Sequence, residues 1–393
     1  MLVLQRKTAV PSHIKTLKKQ PHMQKGLSIM KRIATFSVLL ALLFSLFSCS
    51  AEKSFYDKAH EQLMNAKDDS YTVINGGGFN DGSVTVSSRE NAIAAFKKVP
   101  EDFLEKRAAA YAEKHPVSSS IEYQLEGQTQ TLEFEKVRCN EPALKAYCFE
   151  NEYVSVSYAP ETMDMMSFML YIYTDSPVDE VIRRNKENNS KIVSTHDEAI
   201  EYAKAQLTGT YGIDLDGYIM IGAYLVSPDT YSIKYDQIYN GIFISIIAVD
   251  VNMYYGITWL QAKSYKADTI ELYKSCVDYA TTEKAREQAI QTLIADAKKD
   301  EQIAEIKNVQ PFDSGFAEYI DEKGNQSYHH PTYGRITYIK EIDRLAVALY
   351  YSYTAVMKDG SEKQGANAID VIIPIDWAEV YGDKYLLEEK AEA

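Results

Sequence analysis

Two adjacent histidines, His329 and His330, form the most chemically suggestive cluster in the chain, with Tyr328 and Tyr333 beside them. Two imidazoles can bind a divalent metal when a third ligand arrives from another segment, and such a centre would suit a hydrolase. The competing reading is a solvated loop ahead of Pro331. Cys139 and Cys148 enclose the stretch Asn140 to Tyr147. Across a strand–loop–strand connection that spacing permits a disulfide in an oxidising compartment, and two reduced, half-buried thiols are the alternative. Cys276 is left over. Cysteines without a second close pair do not make a zinc site. Asp214-Leu215-Asp216-Gly217 begins like a calcium loop but lacks the third ligand and the distal bidentate Glu, so it reads as a turn. No His-Glu-x-x-His, Gly-x-Ser-x-Gly or Gly-x-x-x-x-Gly-Lys-(Ser/Thr) occurs, and Gly76-Gly77-Gly78 lacks the Lys-Ser/Thr of a phosphate cradle. No catalytic residue and no cofactor follow from these patterns, and His329 and His330 remain the only metal candidates.

The fourth cysteine stands in a different setting. Residues 1–48 carry eight basic residues and no acidic one. Lys31-Arg32 precedes an uncharged run from Ile33 to Phe47. That run suits a signal-peptide core and falls short of the roughly 20 apolar residues that cross a bilayer. It ends in Leu46-Phe47-Ser48-Cys49, which resembles the lipobox of bacterial lipoproteins, with Phe47 bulkier than the family's usual residue. The resemblance implies that Cys49 is lipidated on its thiol, that the preceding bond is cut, and that the mature chain begins there. It also implies attachment through that lipid to the extracytoplasmic face of the cell membrane or outer membrane. Two or more acyl chains are what stable anchoring requires. Residues 30–48 are then the signal peptide and 49–56 a tether. Met30 reads as the true start, which makes residues 1–29 a misassigned start; a long basic n-region is the alternative.

Beyond residue 48 the chain is acidic. Overall it has 42 Lys+Arg and 56 Asp+Glu in 393 residues, a net charge of −14. Without the basic leader the balance is −22. A nucleic-acid binder needs a basic footprint, so that class is excluded.

The elements that must position any site read as three similar stretches. Each has a polar cap, an amphipathic helix and then Tyr-rich strands. The caps are Ser87-Ser88-Arg89-Glu90, Thr195-His196-Asp197-Glu198 and Thr281-Thr282-Glu283. Period-two runs such as Tyr231-Ser232-Ile233-Lys234-Tyr235 predict strands with one face on a core and one in water. Three domains follow: 57–185, 191–275 and 276–385. Arg183–Lys191 reads as a polar linker or exposed loop, and Asp268–Tyr279 as a connection to the third helix.

The middle stretch resembles a PepSY-type module. The residues that carry the likeness are Thr195-His196-Asp197-Glu198-Ala199-Ile200-Glu201-Tyr202-Ala203, then Tyr239-Asn240-Gly241-Ile242 before the apolar Phe243 to Val251. The resemblance implies an α+β fold of repeated units, each a helix packed on an antiparallel Tyr-rich β-meander, PepSY-like or cystatin-like. It also implies a non-catalytic binding or protein-interaction module in the envelope, with a peptide or protein partner added at an exposed strand edge. An envelope enzyme or metal-binding hydrolase using His329 and His330 is the alternative, and a structural spacer a third.

Overall fold

The computed structural model describes residues 53–66, 71–78, 93–94, 96–141, 143–160, 162–263, 267–315 and 318–387. Met30, Cys49 and the cap at Ser87–Glu90 lie outside the described residues. From Ser54 onward the chain forms one unit. No described helix is long and apolar enough to cross a membrane.

The first third contains α1 (Phe55–Asn65), β1 (Val73–Gly78), α2 (Phe103–Lys114), β2 (Ser120–Leu125), β3 (Gln128–Glu141), β4 (Leu144–Glu150), β5 (Val154–Tyr158) and β6 (Met165–Leu170). The middle has α3 (Pro177–Glu187), α4 (His196–Gly209), β7 (Ile219–Ser227), β8 (Thr230–Tyr239), β9 (Ile242–Asn252) and β10 (Gly256–Lys263). The last third has α5 (Ala267–Ala280), α6 (Glu283–Ala297), β11 (Ile303–Pro311), β12 (Tyr319–Ile320), β13 (Gln326–Ser327), β14 (Gly334–Ile339), β15 (Arg344–Met357), β16 (Glu362–Ile372) and α7 (Trp377–Tyr381).

Local chemistry explains the elements. In α4 the Thr195 hydroxyl accepts from the Glu198 N–H at 3.2 Å, and Glu198 Oε2 accepts from the Ser194 N–H at 2.6 Å. These bonds satisfy helix-end donors. Ala199, Ala203 and Leu207 then form one buried stripe. Thr282 caps α6 the same way, and Ala285, Ala289, Leu293 and Ala297 repeat every fourth residue on its buried face. The β8–β9 hairpin turns on Asn240 and Gly241, both at positive φ, the geometry a two-residue hairpin demands.

The strands do not close into separate units. All 16 described strands join one mixed sheet, running β1-β16-β15-β14-β9-β10-β6-β5-β4-β3-β2, with β8, β7, β13 and β12 branching from β9 and β11 from β15. One edge of β9 is shared end to end: Ile246–Asn252 pairs β10, and Ile242–Phe243 pairs β14 in parallel. This overturns the expected fold class of repeated helix-on-meander α+β units of PepSY or cystatin type. Period two identifies a strand and its inward face. It is silent on which edges meet, and here β6 meets β10 and β9 meets β14 across the expected groups.

Three further expectations change. The stretch between Cys139 and Cys148 is not a loop, because β3 runs to Glu141 and β4 starts at Leu144, and the two strands pair. Arg183 to Glu187 continues α3, which Ser176 caps, Pro177 opens and Val178 and Ile182 bury. Asp268–Tyr279 lies within α5, whose Ile270, Tyr273, Cys276 and Val277 are buried.

Two large apolar clusters hold the sheet. One joins α1, α5, α6 and α7 to β15 and β16 and the start of β9. The other packs α3 and α4 against β2 to β10. Burial of each Leu or Ile in them contributes about 1.5–3 kcal/mol. Between α2, β4 and α7 lies a charged core. Arg107 is fully buried; it donates to Asp343 through both terminal nitrogens at 2.7 and 2.9 Å and to Asp383 through Nε at 2.8 Å. Its guanidinium lies between the rings of Phe103 and Tyr381, each 4.5 Å away.

Candidate functional site

The Ser232-x-Lys234-x-Asp236 row of β8 lies opposite the Tyr231, Ile233 and Tyr235 face that packs under α4. Alternation assigns that row to water. Instead Ser232 and Asp236 are 7% and 8% exposed, and a cover that includes residues 312–315 and 318–335 lies over Asp236. The segment is pinned at several points. The Phe312 N–H donates to the Tyr350 carbonyl, and β13 pairs with the edge of β7. Asn325 Oδ1 accepts from the Leu225 N–H at 2.6 Å and lies 3.3 Å from His196 Nε2, so His196 is a docking residue for this cover.

Beneath the cover is a cleft of about 280 Å³. Its floor is Lys234, Asp236 and Ile246; Tyr328, His330 and Arg335 form walls. That volume suits a small ligand. Asp236 is the unusual group. Its Oδ1 is buried with no hydrogen-bond partner among the described residues. Burial pushes its carboxyl up to about 7, against the opposing charge of Lys234. Asp250, across the ladder from Ser232, is also raised by burial, with Ser232 and Lys234 pulling the other way. Near neutrality Asp236 can therefore both donate and accept a hydrogen bond, beside the cationic Lys234 and Arg335.

The two histidines do not converge. His329 Nε2 lies 2.7 Å from Asp313 Oδ2, on the partly exposed side of the cover. Burial raises Asp313, but the N–H groups of Thr332 and Gly315 together with the His329 ring outweigh it and hold the carboxyl low. His330 faces the cleft instead. No group of three His, Cys, Asp or Glu side chains among the described residues is placed to hold a metal ion. Cys139 and Cys148 are both buried and unbridged. The β3–β4 register sets Cys139 opposite Lys145 and Cys148 opposite Lys136, three residues apart along the ladder. A disulfide needs Cα atoms within about 7 Å, which that offset exceeds. Burial pushes the Cys139 and Cys276 thiols up, to about 11 and 12, so both are poor nucleophiles.

Asp236 was missed because its position in an alternating strand suggests solvent. The signal was a Lys and an Asp two residues apart on one strand face, and only the cover gives it meaning. Gly334, on the cleft wall, permits the close approach of β14 to β15 and β9. A Cβ there would sit 2.3 Å from the Ala348 carbonyl oxygen and 2.8 Å from Ile242 Cδ1. Gly334→Ala is therefore expected to cost about 1–3 kcal/mol by forcing the strands apart. Urea unfolding checks this, and an unchanged midpoint would refute the close-approach argument. No protein-family model matches the chain, and neither a curated protein nor a solved structure is significantly similar to it.

Proposed function

We propose that the chain is a lipid-anchored binding protein of the bacterial envelope, held by Cys49, whose small-ligand site is the Asp236 cleft. The observation that supports the binding role is the buried Asp236 carboxyl, with an unpartnered oxygen, in a cleft flanked by Lys234, His330 and Arg335. A buried polar atom left unpaired costs about 1–3 kcal/mol, so such an atom is kept where something else pairs with it. The ligand class is a small polar molecule with an acidic group for Lys234 and Arg335 and a donor or acceptor for Asp236.

Two experiments test the two parts. A panel of amino acids, dipeptides and small carboxylates is titrated against the purified protein by calorimetry. A ligand that binds and is lost on Asp236→Asn supports the site; a panel in which every binder ignores Asp236→Asn removes it. For the anchor, Cys49→Ala is expected to move the protein from the membrane fraction to the soluble fraction and to abolish incorporation of labelled palmitate. Retention in the membrane fraction would end the lipoprotein reading.

A further inference from the structure

A second and larger cleft, of about 700 Å³, opens elsewhere on the unit. It lies where the start of α1, the turn after β5, the connection from α4 to β7 and the first turns of α5 come together. Its charge is one-sided. Asp164, Asp214, Asp216, Asp268 and Glu271 line it, against a single cation among the described residues, Lys274. Lys274 is already committed to Glu271, at 2.8 Å. Asp268 and Glu271 belong to the first turns of α5, where a helix tolerates acidic side chains for its own sake. Asp164, Asp214 and Asp216 come from loops, where Asp164 accepts from the Thr162 hydroxyl and Asp214 from the Asp216 N–H at 2.9 Å, and each keeps its negative charge at the cleft.

An independent feature points to a ligand. Gln237, on β8, lines the same cleft and is only 7% exposed. Its Oε1 is buried with no hydrogen-bond partner among the described residues. A donor bound in the cleft would pair that acceptor. Metal coordination does not fit, because no three of the described acidic groups stand close enough to share an ion. The volume is that of an organic ligand. Between the charges the walls are apolar: Phe55, Tyr218 and Ile270. Aromatic faces attract ammonium groups, and apolar walls accommodate methylene chains.

We infer that this cleft binds an aliphatic polyamine, with spaced ammonium groups on the loop carboxylates, one N–H donor on Gln237 Oε1 and methylene spacers against Phe55, Tyr218 and Ile270. The site is separate from the Asp236 cleft, and neither depends on the other.

Isothermal titration of the full chain with spermidine in low-salt buffer tests the inference. Saturable one-to-one binding is expected, with putrescine weaker because it carries fewer charges. Gln237→Leu should weaken spermidine about tenfold or more, the loss of one hydrogen bond to a charged group. Asp214→Asn combined with Asp216→Asn, both on a connecting loop, should weaken it at least as much and also lower its salt dependence. The double variant keeps the test open if Gln237→Leu disturbs folding, which an unfolding curve reports. Binding left unchanged by the double variant, heat no greater than that from magnesium at equal charge, or the absence of saturation would each overturn the inference.

Discussion

Arg107→Ala is expected to destabilise the protein by about 3–5 kcal/mol, because it strands two buried carboxylates without their cation. Asp343 and Asp383 are 2% and 3% exposed, and both direct their oxygens at the one guanidinium. The Tyr338 hydroxyl also donates to Asp343, at 2.7 Å, so the cluster is hydrogen-bonded as well as charged. Arg107→Lys should recover only part of the loss. An ammonium cannot form the fork to Asp343 while also reaching Asp383, and it stacks less well between Phe103 and Tyr381. Replacing all three charged residues by apolar ones of similar size should recover most of it, since an apolar cluster avoids the desolvation cost altogether. Urea unfolding of the four proteins measures each step. A wild-type midpoint for Arg107→Ala would show that the triad contributes nothing to stability.

The second large effect is one of pH. The Asp236 carboxyl has an ordinary value of 3.8 and stands at about 7 when folded. Between these values the folded chain holds a proton that the unfolded chain releases. Stability from this group is therefore full below about pH 4 and is lost as pH rises through 7. The loss is about 1.4 kcal/mol per pH unit within the window, or roughly 4 kcal/mol across it. The groups facing Asp236 are Lys234 on its own strand, Arg335 on β14, and Tyr328 and His330 on the cover. Lys234 favours the carboxylate, yet burial prevails. Asp236→Asn keeps the site neutral at every pH. The variant should match the wild type near pH 4 and exceed it by about 2–4 kcal/mol at pH 8. Paired urea titrations at several pH values check the difference. Parallel curves would mean that Asp236 is ionised in the fold and solvated.

Local features were legible in the sequence, and the reason is physical. The Thr195–Glu198 cap, the α4 stripe and the Asn240-Gly241 turn depend on residues within a few positions of each other. The structure places all three where the spacing requires. Sheet assembly is another matter. The pairing of Trp259 to Gln261 with Ser167 to Met169 joins segments about ninety residues apart, and nothing in either segment names the other. At Cys139 and Cys148 the spacing left a bridge and two reduced thiols both open, and the β3–β4 register that separates them cannot be read from spacing. At Asp236 the strand and its alternation were visible. The cover was not, because its docking through Asn325, His196 and Leu225 is non-local.

The join between β9 and β14 has a mechanical consequence. The ladder from β2 through β10 and the ladder around β15 meet through two residue pairs, Gly334–Ile242 and Arg335–Phe243. Lys234 and Asp236 stand on one side of that join and Arg335 on the other, with the cleft between them. A ligand gripped from both sides would act as a rivet across this two-pair seam. Occupancy and the stiffness with which the two halves move together would then be a single property.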